Sequence, residues 1–294
     1  MNDIKIFKCA ANELDVISAD VLAALSVSYE QANKKAEYMA ELSQKIKESK
    51  KLSYCRLPFC HTMEAEALGS EVVFDSLVGN RIGKYKIQDL SDIGTLKYVD
   101  FSKGRIAEVL TAITMLKSRG EKVVVDVSGP ISIATSIMDS HLFYRGLRKD
   151  KDKINICLEL IEKVIIQFMK ETIKRGVDMI SFADPTGTID IVGPKMYRQV
   201  AGDSVYKILK AVKDNLQDTV IHICGKTSTS LEAIGLIESE KITIDPIQTV
   251  KNRDYFHMIE KLKTNNPDVK FIGHWCLKLN IYKSDNLTVC RLKR

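Results

Sequence analysis

KINICLELIEKVIIQFMKETIKRGVDMISFADPTG, residues 153–187, decides the fold. From about Lys151 to Arg175 apolar side chains recur at helical spacing, and Gly176 stands where a helix closes in the left-handed conformation. Met179-Ile180-Ser181-Phe182 then reads as a short buried strand, ended by the polar turn residues Asp184-Pro185-Thr186-Gly187. Helix, glycine, strand and polar end make one unit of an α/β protein.

The unit returns in both directions. Short β-branched runs stand at Val123-Val124-Val125, Val220-Ile221-His222-Ile223, Ile242-Thr243-Ile244 and Val269-Lys270-Phe271-Ile272, and a second helix is expected over about Met196 to Asn215. Strand and helix in alternation predict parallel pairing through crossover helices. The runs end in ligand-type residues: Asp126 and Ser128 before Gly129-Pro130, Asp184 before Pro185, His222 and Cys224 before Gly225, Asp245 before Pro246, His274 and Cys276 after Gly273. Carboxyl ends of parallel strands are where such folds build their sites, so these endings converge on one rim. Asp-Pro and Ser-Gly-Pro also simply start turns, which makes the recurrence more telling than any single Asp.

With 294 residues, 45% hydrophobic and 28% charged, the chain has the profile of a packed globular protein. Its net charge of +6 is below what marks a nucleic-acid binder, and no RNP, zinc-finger or dense arginine motif is found. Lys45, Lys47, Lys50 and Lys51 fall on an expected amphipathic helix over about 30–50 and read as a solvated face. No window suits a membrane span or a signal peptide, so a cytoplasmic protein is expected. Seven Cys in such a chain argue for thiols used in packing, metal binding or catalysis, not disulfides. The Asn286-Leu287-Thr288 sequon is then a chance match. No linker divides the chain, and the expected organisation is a helical extension over 1–50 and one domain over 51–294.

His222-Ile223-Cys224 places imidazole and thiol on one face of a strand, a pair suited to zinc. Cys276 or Cys290 would supply a third ligand, and a carboxylate or His274 a fourth. The competing reading is packing, since Cys is among the most buried residue types. A second H-x-C, His274-Trp275-Cys276, weakens that reading and raises another, a closed structural zinc of two His and two Cys. Gly225-Lys226-Thr227 is not a phosphate loop, because Val220 stands where the motif requires glycine. Thr229 and Glu232 are expected to form a capping box for a helix over Ser230–Ser239, its positive end favouring a thiolate or anion beside the His/Cys pair.

HICGKTSTSLEAIG (222–235), LPFCHTMEAEALGSEV (57–72), VVVDVSGPISIATSIM (123–138) and DMISFADPTGTIDIVGPKMYRQV (178–200) together resemble the uroporphyrinogen decarboxylase superfamily. The likeness is to its zinc-dependent corrinoid methyltransferase branch and covers about Leu52 to Asp245. It implies a (β/α)8 TIM barrel and catalytic zinc on H-x-C plus a distant Cys, here His222, Cys224 and Cys276, the last preferred to Cys290. Glu66 is a candidate fourth ligand, displaced by substrate. The implied activity moves a methyl group between a methylcobamide, carried by a separate corrinoid protein, and a small thiol of coenzyme M type or another methylated small molecule; a homodimer is also possible. Asp184 and Thr186 are candidates to orient substrate, Ser128 to contact the cofactor, and Asp126 and Asp245 to fix the His222 tautomer. The decarboxylases' Arg-containing M-R-Q-A-G-R segment is missing, the early strand reading CRLPFCHTMEAEALG instead. A metal-free decarboxylase would still show arginines lining the mouth.

Overall fold

The structure is a computed structural model that describes residues 6–8, 17–244, 253–277, 281–282 and 284–293. Its main sheet contains β1 Cys55–Leu57, β2 Val123–Ser128, β3 Met179–Ala183, β4 Val220–Cys224, β5 Ile237–Thr243, β6 Phe271–Trp275 and β7 Asn286–Leu292, in the spatial order β1-β2-β3-β4-β6-β7-β5. β1, β2, β3, β4 and β6 are parallel neighbours, as the alternation predicts. β7 then runs antiparallel to both β6 and β5.

The helices that matter here are α1 Ala36–Ser49, α2 Gly104–Ser118, α3 Pro130–Ile137, α4 Lys151–Lys174, α5 Gly202–Val212, α6 Gly225–Ala233 and α7 Tyr255–Asn265. All six residues of β2 are buried, because both faces of the sheet are covered. Val123, Val125, Val127, Ile180, Phe182 and Ile221 pack on the side of α2, α4 and α5. Val124, Met179, Val220 and Ile272 point to the other side, where Tyr255, Phe256 and Ile259 of α7 meet them. That second side is called the inner face below.

The long α4 ends as expected, with Gly176 at φ 72° just beyond it. Two expectations near the other end of the chain need correction. The helix expected over Ser230–Ser239 occupies Gly225–Ala233 instead, because Gly235 at φ 77° ends it and its successor residues become β5. The strand expected at Ile242–Ile244 is the end of β5, and its register with β7 is antiparallel, not parallel.

Among the described residues no pairing joins β1 to β5, the two edges of the sheet. The outward backbone of β1 is met by a side chain: Ser43 of α1 donates to the Arg56 carbonyl at 3.1 Å and accepts from its N–H at 3.0 Å. The other edge, β5, carries exposed Glu238, Glu240 and Lys241. Both devices discourage further strand addition. On α1 the expected charged face is ion-paired, Lys45 with Glu41 at 3.5 Å and Lys47 with Glu121 at 2.5 Å. Among the described residues no helix is long and apolar enough to cross a membrane.

Candidate metal centre

β4 brings His222 and Cys224 to the inner face, two residues apart as the sequence requires. Asp126, Ser181, His222 and Ile272 form one lateral row across β2, β3, β4 and β6. Between His222 and Cys224 the register with β6 slips, two steps on β4 facing three on β6, because Ile272 opposes His222 and Trp275 opposes Cys224. His274 sits in this bulge at φ 60°. Its N–H donates to Ser228 Oγ at 2.8 Å and its Nε2 lies 3.2 Å from a Glu232 carboxylate oxygen, too poorly aligned for a hydrogen bond. Gly273 is required beside it, since a Cβ there would stand 2.8 Å from Ser228 Cβ and 2.9 Å from Cys290 Sγ.

The His222 ring is buried, and neither ring nitrogen has an aligned hydrogen-bond partner, although the Trp275 backbone approaches it. Tyr255 stacks edge-on against it, with centroids 5.5 Å apart. Burial first, and the Arg56 charge second, push its pKa down to about 4 against an opposing pull from Asp126. The imidazole is therefore neutral at physiological pH, the form that binds a metal. A buried polar atom left without a partner costs about 1–3 kcal/mol, so two on one ring call for an occupant.

Cys224 is half-buried and forms the N-cap of the nine-residue α6. The positive end of that helix favours its thiolate. Cys276 is buried in the electrostatic company of Arg56, Tyr54 and Tyr255, two of which, Arg56 and Tyr255, are also neighbours of His222. Cys290 lies on the α6 side, against the position of Gly273, and burial pushes its thiol up to about 12. Among the described residues no three His, Cys, Asp or Glu side chains are gathered at metal-ligand distances. The donors nonetheless fit a soft divalent ion: a neutral imidazole with one open lone pair and a neighbouring thiol at a helix N-terminus.

The other sequence candidates divide sharply. Asp126 does not touch His222; it binds Arg56 through two contacts, Nε to Oδ2 at 2.6 Å and Nη2 to Oδ1 at 3.0 Å. Asp184 is buried and accepts from Ile131 N–H at 3.2 Å, Ser132 N–H at 2.8 Å and Ser132 Oγ at 2.7 Å, so it caps α3. Gly129 and Gly187 cradle it, for a Cβ on either would stand 2.2–2.3 Å from Asp184 atoms. Ser128 gives its N–H, at 2.8 Å, and its hydroxyl to the buried Glu64. Thr186 is exposed, with its hydroxyl 3.0 Å from that of Ser132. Glu66 is committed to Arg105, whose other nitrogens reach Cys60 at 3.1 Å and Thr62 at 3.0 Å. Asp245 lies outside the described residues.

The expected capping box is also not formed. Thr229 sits in the second turn of α6 and donates back to Gly225 O at 2.7 Å, while Glu232 accepts from Ser239 N–H at 3.1 Å. A closed structural zinc of two H-x-C pairs finds no support, because the bulge turns His274 toward Glu232 on α6. Three residues of the site escape sequence reading: Arg56, Glu64 and Tyr255. Arg56 had a signal, an Arg between buried Cys55 and Leu57 in a strand, which must face the opposite side. Tyr255 had none, being packed there only by tertiary contact.

Residues 19–263 match the family described as Uroporphyrinogen decarboxylase (URO-D). The methylcobamide:CoM methyltransferase MtbA of Methanosarcina mazei is 26% identical over 238 residues, 80% of this chain and 70% of that protein. The methylcobamide:CoM methyltransferase MtaA of Methanosarcina barkeri is 26% identical over 258 residues, covering 81% and 72%. A solved structure of a methyltransferase from Methanosarcina mazei shares the fold, with a TM-score of 0.63 at 24% identity over 76% of this chain. The chain spans 66% of that structure's length.

Proposed function

The chain belongs to the uroporphyrinogen decarboxylase family, and we propose that within it the protein is a zinc-dependent methyltransferase acting between a corrinoid and a small thiol. Two relatives named methylcobamide:CoM methyltransferases support the reaction class. The single observation that carries the zinc is the buried His222 ring with both nitrogens unpartnered. In this reading His222, Cys224 and Cys276 hold the ion, and the methylcobamide arrives on a separate corrinoid protein in the cytoplasm. In this reading the family's α/β barrel occupies 51–294, and the helices described between Ala19 and Ser49 precede it.

Zinc, when bound, supplies the Lewis acidity that keeps an incoming thiol as thiolate near pH 7. The chain's own residues prepare for this. Burial and Arg56 keep His222 unprotonated, so its lone pair is available without proton loss. Asp126 neutralises Arg56 and fixes that guanidinium on the inner face. Tyr255 and Trp275 exclude water from the ring's flank. In the transfer itself the thiol proton leaves to solvent, a sulfur–carbon bond forms as the cobalt–carbon bond breaks, and cobalt retains the electron pair.

A metal-free decarboxylase reading would need arginines free to grip substrate carboxylates. Arg56 and Arg105 are each committed to a carboxylate, Asp126 and Glu66. The decisive experiment is zinc analysis with X-ray absorption at the zinc edge, with and without added thiol. One zinc per chain, with one further sulfur neighbour on thiol addition, is expected. A zinc-free protein after expression in zinc-replete medium would overturn the proposal.

A further inference from the structure

Beside the bulge of β6, with Tyr282 as part of its wall, lies a cavity of about 520 Å³. Its size suits a small-molecule ligand. Three of its lining side chains are cationic or donor-bearing, Lys8, Lys241 and His274, and three more carry hydroxyls, Thr229, Ser284 and Thr288; no carboxylate lines it. Among the described residues neither Lys8 nor Lys241 has an ion-pair partner, and the buried Nε2 of His274 makes no hydrogen bond. The Ser284 hydroxyl is engaged within the wall, accepting from Asn286 N–H at 3.1 Å and hydrogen-bonding the Tyr282 side chain.

The backbone is arranged to hold this lining. His274 keeps a left-handed conformation that a side chain rarely adopts, pinned by the Ser228 hydroxyl on its N–H. One wall is the N-terminal segment, tied down by Phe7 N–H donating to Thr229 Oγ1 at 3.1 Å. Gly225 makes room for that wall, because a Cβ there would stand 2.6 Å from the Phe7 ring. The opposite wall includes Tyr282, which packs on Trp275 at 4.8 Å and on Tyr255 at 4.9 Å, and Tyr255 in turn covers His222. The Tyr255 and Tyr282 rings therefore stand between the cavity and the His222 ring.

We propose that this cavity is a binding site for a small organic anion, a carboxylate or a phosphate ester, held by Lys8 and Lys241 with the Thr288 hydroxyl at the rim. An oxyanion placed there would satisfy two ammonium groups that otherwise lack partners among the described residues. Trp275 is the single tryptophan of the chain, and it packs on both Phe7 and Tyr282, so its fluorescence reports on the cavity directly.

The test is a fluorescence titration of the full chain with inorganic phosphate and, separately, with succinate, at ionic strength held constant with chloride. A saturable change with either anion is expected, weakened about tenfold in Lys241→Ala and recovered in Lys241→Arg. Saturation by phosphate alone assigns a phosphate ester, and saturation by succinate alone assigns a carboxylate. A response no different from that to chloride, or one equally strong in Lys241→Ala and in Lys8→Ala, overturns the proposal. The readout requires neither zinc nor methyl transfer, so its failure is distinct from failure of the proposed activity.

Discussion

The strand ends of β2 and β3 and those of β4 and β6 look alike in sequence and differ in chemistry. At β2 and β3 the buried polar groups are saturated by the protein itself: Asp184 by α3 and Ser132, Glu64 by Ser128, Asp126 by Arg56. Around β4 and β6 they are not, and His222, Tyr255, His274 and Trp275 all keep buried polar atoms without partners. Saturated endings hold the fold together, while unsatisfied ones are poised for something the chain does not itself supply.

The largest expected effect tests the saturated half. Asp184→Ala strips the acceptor from two buried N–H groups and a hydroxyl, and should cost about 3–5 kcal/mol in urea unfolding. A loss under about 1 kcal/mol would place Asp184 back among the functional residues. On the unsatisfied half, His222→Leu should leave stability within about 1.5 kcal/mol, since the volumes are close and two orphan nitrogens disappear. Zinc content and methyl transfer should meanwhile fall at least about 100-fold. A variant as unstable as Asp184→Ala, still zinc-loaded, would erase the distinction between the halves.

Alkaline titration sharpens it further. Burial raises the thiols of Cys157 and Cys290 from 9.0 to about 12, so the folded state holds their protons more tightly than the unfolded chain. Their stabilisation is complete below about pH 9 and is lost as pH rises toward 12. Unfolding midpoints measured across that window should decline, and at pH 8 the half-buried Cys224 should react with a thiol reagent before either of them. The smallest effect belongs to the surface: Lys226→Ala removes a 3.0 Å pair with Asp190 and should change stability by about 0.2–1 kcal/mol, with zinc content untouched.

Much of the parallel architecture was legible because helix periodicity, Gly176 and short β-branched runs are local signals. His222 and Cys224 were legible for the same reason, two residues apart on one strand. The antiparallel β5 and β7 were not, since neither run states its partner's direction. Nor could sequence tell Asp184 from His222: both end apolar strands, and only the third dimension reveals that Ser132 and Ile131 saturate the one while Tyr255 merely abuts the other. Glu66 shows the same limit, because its partner Arg105 lies 39 residues away in the chain.

The extra residue in β6 acts as a parity switch. Side chains alternate along a strand, so inserting one residue reverses the facing of everything after it. With His274 absorbed in the bulge, Trp275 comes to oppose Cys224 and its ring joins Tyr255. Removing His274 would restore even spacing and keep the indole opposite Cys224, so that only the imidazole held in the bulge is lost. A single-codon deletion there would thus take one ring out of the cavity lining while leaving β4 as it is.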